Sequence, residues 1–91
     1  MDSRSKSIWK FTLEIMDHQI IQMPVDAELL HVGLDPQGTP CLWALVTPTN
    51  ETQGRSIIIH GTGHPVLCVV SKADNYIGTF VQGRFVWHVF S

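Results

Sequence analysis

The residues most able to do chemistry lie in one short segment, His60-Gly61-Thr62-Gly63-His64-Pro65. Two glycines at the end of a strand let successive backbone N–H groups converge on an anion. The flanking imidazoles and the Thr62 hydroxyl add polar contacts, so the segment reads as a pocket for a small anion such as a phosphate. The same residues would also make an ordinary tight turn holding one hydrogen-bonded histidine. A metal is a further possibility, because His60 and His64 are four positions apart, as in helical zinc pairs. Two glycines and Pro65 oppose a helix there, and a third ligand would have to come from His31, His88, Cys41 or Cys68. No metal and no cofactor is therefore expected. His60-Gly61-Thr62 also matches the HxT element of two-histidine phosphoesterases. Those enzymes pair two such elements, whereas His88 is followed by Val89-Phe90. With no nucleophile elbow, Walker loop or paired carboxylates in the chain, an enzyme is not expected.

The elements that must position these residues read as strands. Trp9, Phe11, Leu13 and Ile15 alternate with Lys10, Thr12 and Glu14, the pattern of a half-buried strand. Asp17-His18 reads as a turn, and Gln19 to Met23 as a second strand stopped by Pro24. Glu28 to Leu34 is a third strand, with Leu30, Val32 and Leu34 on one face. Asp35-Pro36-Gln37-Gly38 carries strong turn chemistry. The returning strand, Pro40 to Val46, is apolar on both faces and is expected to be central. Thr47 to Gly54 reads as a loop and Arg55 to His60 as a fifth strand. Val66 to Val70 is either a short strand or a buried loop, and Lys72 to Asn75 is a polar loop. Tyr76 to Val81 and Arg84 to Phe90 form a hairpin around Gln82-Gly83. No stretch keeps a helical period. Short strands at regular intervals predict a small all-β antiparallel sandwich or barrel of about six or seven strands.

A chain of 91 residues makes one domain, expected over residues 8–91 behind a polar, disordered tail at residues 1–7. Apolar residues make up 44% and charged residues 15%, against about a quarter charged in ordinary globular domains. So few charges on a small domain predict exposed apolar surface and hence self-association into a homo-oligomer. The six cations, Arg4, Lys6, Lys10, Arg55, Lys72 and Arg84, are scattered over a chain of net charge −2. No basic face results, which argues against direct DNA binding. Cys41 and Cys68 have neither CxxC spacing nor the number for a disulfide scaffold, and read as buried thiols. The first ten residues are polar and charged, unlike a secretory signal, and no apolar run approaches the roughly 20 residues of a membrane helix. Trp9, Trp43, Trp87, Phe80, Phe85 and Phe90 are expected in the core or an oligomer seam.

Five segments carry a wider likeness: Ile8-Trp9-Lys10-Phe11, Pro40-Cys41-Leu42-Trp43-Ala44-Leu45-Val46, Gly61-Thr62-Gly63-His64-Pro65, Tyr76-Ile77-Gly78-Thr79 and Val86-Trp87-His88-Val89-Phe90. In that order and spacing the chain resembles a family of uncharacterised short phage and prophage accessory proteins. The likeness spans nearly everything after residue 7 and departs at Val66 to Val70, which is more apolar here. It supplies no catalytic residues. It implies a viral accessory role in the host cytoplasm, and accessory phage proteins commonly act on host defence.

Three functions are then in view. The domain traps a small nucleotide-derived signal, with His60 to His64 holding phosphate, Arg55 or Arg84 neutralising charge, and Trp43 or Trp87 stacking on a base. Alternatively it blocks a host defence protein through an aromatic patch. The third is a structural or assembly part of the virion. The ligand trap is the leading expectation.

Overall fold

In the computed structural model, residues 5–63 and 76–91 are described. They form seven strands: β1 (Ser7–Thr12), β2 (His18–Pro24), β3 (Glu28–Leu34), β4 (Pro40–Val46), β5 (Thr52–Gly61), β6 (Tyr76–Gln82) and β7 (Phe85–Phe90). They assemble into one sheet ordered β1-β4-β3 and another ordered β2-β5-β7-β6, with every neighbouring pair antiparallel. The fold is thus the expected small all-β sandwich. His64 and the Val66–Val70 and Lys72–Asn75 segments lie outside the described residues.

β4 is the middle strand of its sheet, as its two apolar faces require. Leu42, Ala44 and Val46 alternate inward and are fully buried. They meet Met23, Ile57, Ile59, Val89 and Phe80 from the other sheet in one core. Phe80 is the only one of the six expected aromatics to be buried, at 6% exposed. Trp43, Trp87 and Phe90 are half-buried, and Trp9 and Phe85 are exposed. Volume is filled instead by aliphatic side chains, which pack between pleated sheets without the reach that rings need.

Four local readings shift for identifiable reasons. β1 stops at Thr12 rather than running to Ile15, because its partner β4 begins at Pro40, whose carbonyl accepts the Leu13 N–H at 2.9 Å. Beyond it Gln19 closes the loop: its side-chain Nε2 donates to the Glu14 carbonyl at 2.7 Å and its Oε1 accepts from Glu14 N at 3.2 Å. In β3 a bulge between Leu29 and His31 breaks the alternation, leaving Leu30 exposed while Val32 stays buried, and Leu34 is exposed at the strand end opposite Pro40. β5 begins at Thr52, inside the expected loop, because Thr52 to Gly54 pair with Gln22 to Pro24 of β2. The last hairpin turns at Gly83-Arg84, with Gln82 opposite Phe85 and Gly83 at φ 60°. Glycine at the first central position suits a two-residue II′ turn.

The Asp35 turn forms as its composition dictates. Gly38 N donates to Asp35 O at 2.8 Å. Asp35 Oδ1 accepts the N–H groups of Gln37 and Thr39, both at 2.9 Å, and Oδ2 takes Lys10 Nζ at 3.0 Å. Those donors, Thr39 foremost and then Lys10, hold the Asp35 carboxyl below the ordinary range. Beneath it, burial raises the Cys41 thiol.

Candidate functional site

β5 and β7 run side by side with His60 opposite His88 and Gly61 opposite Trp87. Directly opposed residues share a face and successive residues alternate. The sheet therefore sends His60 and His88 to one side and Gly61 and Trp87 to the other. This splits the histidine–glycine segment, which the sequence presents as a single pocket.

On the side of Trp87, at the end of β5 and the start of β7, lies a cleft of about 130 Å³. Its walls are Gly61, Thr62, Arg84, Phe85, Val86 and Trp87. Four of these, Gly61, Thr62, Arg84 and Trp87, are sequence-predicted site residues. The rings of Phe85 and Trp87 stack at 5.8 Å with an interplanar angle of 24°. The Arg84 guanidinium sits 5.7 Å from the Phe85 ring centroid, a cation–π contact. Among the described residues Arg84 makes no hydrogen bond or ion pair, so its donors are available to an anion. Trp87 is oriented by its indole N–H, which donates to Gln82 Oε1 at 3.2 Å. The Thr62 N–H donates to the Val86 carbonyl at 3.1 Å. That amide is thereby spent on the sheet and is not free for an anion.

A second cleft, of about 190 Å³, shares Gly61 and Trp87 and is completed by Ile15, Met16, Asp17 and Ile59. Sequence patterning assigned Ile15 to a strand and Asp17 to a turn. Their place beside Trp87 follows from the long-range packing of the β1–β2 loop over β5, where the Asp17 carbonyl accepts the Ile59 N–H at 3.1 Å.

On the opposite face His88 is held from both ring nitrogens, Nε2 by Thr62 Oγ1 at 2.6 Å and Nδ1 by Thr79 Oγ1 at 2.9 Å. The Tyr76 hydroxyl continues the chain to Thr79. The signal that would have found Thr79 is hairpin register, since a Gly83-Arg84 turn sets it opposite His88. His60 is 6% exposed, and its Nε2 has no hydrogen-bond partner among the described residues.

The remaining predicted residues lie elsewhere. Gly63 follows Thr62 in the turn. Arg55 donates from Nη1 to the Ala27 carbonyl at 3.0 Å and lines a separate open cleft of about 450 Å³ with Glu28 and Tyr76. Trp43 is on the other sheet, its ring 5.9 Å from that of His31. Of the residues considered for a metal, His31 accompanies Trp43 and Cys41 lies under Asp35. No three His, Cys, Asp or Glu side chains converge among the described residues. No described helix is long and apolar enough to cross a membrane.

No curated protein and no solved structure matches the chain. The family model described as Domain of unknown function (DUF7352) matches residues 4–91, almost the whole chain, and the chain belongs to that family.

Proposed function

We propose that this domain is a non-enzymatic binding protein that sequesters a small, anionic, nucleotide-derived ligand in the cleft beside Trp87. The observation that carries the reading is the meeting of Gly61, Thr62, Arg84 and Trp87 around one cleft, with an Arg84 guanidinium that no carboxylate engages among the described residues. A guanidinium matches phosphate oxygens through paired donors. The Phe85–Trp87 stack offers an aromatic surface for a base. The resemblance to short phage and prophage proteins supplies the setting: a virus inside a host cell gains from withholding a nucleotide signal that activates defence. Self-association belongs to the same reading. Ile8, Ile20, Val81 and Phe85 are 63%, 57%, 58% and 52% exposed, apolar surface that a second copy would cover.

The test is to mix the purified protein with an extract of defence-active cells, then heat-denature the protein and recover the ligand. Sequestration predicts that the signal disappears on mixing and returns intact on denaturation. Return of a cleaved product would make the protein an enzyme, and an undiminished signal would remove the ligand reading. A second reading, a blocker of a host defence protein, is favoured by one feature: β1 is an edge strand with Ile8 and Trp9 exposed at 63% and 39%. It predicts a stoichiometric complex that Ile8→Lys disrupts and Arg84→Ala does not.

A further inference from the structure

The two clefts meeting at Trp87 differ in chemistry. One has the Arg84 cation. The other is lined by Asp17 together with the apolar Ile15, Met16 and Ile59. Ile15 and Met16 are 39% and 46% exposed, so this lining is accessible. Asp17 is exposed, and its carboxylate makes no hydrogen bond or ion pair among the described residues. Among the described residues, an anion and a cation without hydrogen-bond or ion-pair partners therefore line the two clefts that share Trp87. Each cleft, at about 130 and 190 Å³, is near the roughly 150 Å³ that accommodates a single six-membered ring. Neither encloses a whole nucleotide, and together they suit one that lies across Trp87.

We propose, building on the nucleotide reading above, that the ligand spans Trp87 with its phosphate at Arg84 and a guanine base whose edge is read by the Asp17 carboxylate. The base choice follows from donor and acceptor chemistry. An ionised carboxylate offers only acceptors. Guanine presents two adjacent donors on its pairing edge, the N1–H and the 2-amino group, which the two carboxylate oxygens accept together. Adenine presents a donor beside the N1 lone pair, which faces a carboxylate oxygen unfavourably. Hypoxanthine keeps the N1–H and lacks the amino group. Ile15 and Met16 cover the base face, and Met is suited to such contact through its polarisable sulfur.

The experiment is calorimetric titration of the full chain with GMP, IMP and AMP. A good bidentate contact discriminates by about tenfold or more, so GMP is expected to bind at least that much more tightly than AMP, with IMP between. Asp17→Asn should erase the ranking, since an amide sets a donor against guanine's donors. Its fold should persist, because Asp17 bonds the sheet through its main-chain carbonyl. Arg84→Ala should weaken all three nucleotides alike. Equal binding of GMP and AMP to the unaltered protein, or a ranking that survives Asp17→Asn, would overturn the base assignment and leave the nucleotide site standing. Absence of binding by all three would overturn both.

Discussion

Arg84 and Asp35 show how differently two charged side chains serve this domain. Arg84 stands over Phe85 with no acceptor among the described residues, whereas every oxygen of Asp35 is engaged. Hydrogen bonds to charged groups contribute about 1.5–3 kcal/mol, so Arg84→Ala should weaken nucleotide binding roughly ten- to hundredfold without moving the unfolding midpoint. Titration paired with urea denaturation measures both. For Asp35 the carboxyl is held below its unfolded value, so its stabilisation is present above about pH 4 and is lost as pH falls through the lowered folded value. Asp35→Ala should therefore lower the urea midpoint at pH 7, and the deficit should shrink towards pH 2. A deficit independent of pH would show that the carboxylate charge contributes nothing. The Asp35 turn was legible because proline, glycine and a side chain able to cap its own turn stand at the needed positions. Asp17 was not: nothing local marks a residue whose carbonyl is bonded by a neighbour 42 positions away, Ile59.

Among the elements, β4 carries the fold. Its inward Leu42, Ala44 and Val46 are fully buried in the middle of their sheet. Leu42→Ala should cost about 2–5 kcal/mol, read from the urea midpoint at constant slope, and a cost below that range would mean the core relaxes to fill the space. Such strands announce themselves, since apolar residues on both faces have no other use. The β6–β7 hairpin was legible as well, apart from a one-residue displacement of its turn. β5 was only half legible, because Thr52-Gln53-Gly54 lacks apolar alternation and is a strand only through β2. Alternation on one strand also cannot say which residues share a cleft with another. His60 and Gly61 are adjacent in the chain, yet the pleat sends them to opposite faces, so a segment that looks like one pocket becomes two surfaces.

At the scale of the whole molecule, the radius of gyration is 13.7 Å, against about 12 Å for a compact chain of this length. The sandwich is thin, 46 × 30 × 18 Å, and leaves large apolar side chains on its surface. Its two sheets approach closely where β6 meets β3: a Cβ at Gly78 would come within 3.0 Å of Val32 Cγ2. The low charge content of the sequence foretold the exposed apolar surface, while the pairings of β1 with β4 and β2 with β5 rest on distant contacts that periodicity does not encode. Native mass spectrometry of the protein, gently purified from infected or defence-active cells beside its Arg84→Ala variant, tests the binding function most directly. The expected result is a multimer carrying extra mass of nucleotide size, with the variant assembled and empty. A wild-type protein that emerges free of ligand, or a variant that retains the same mass, would contradict the assignment of the Trp87 cleft as a ligand trap.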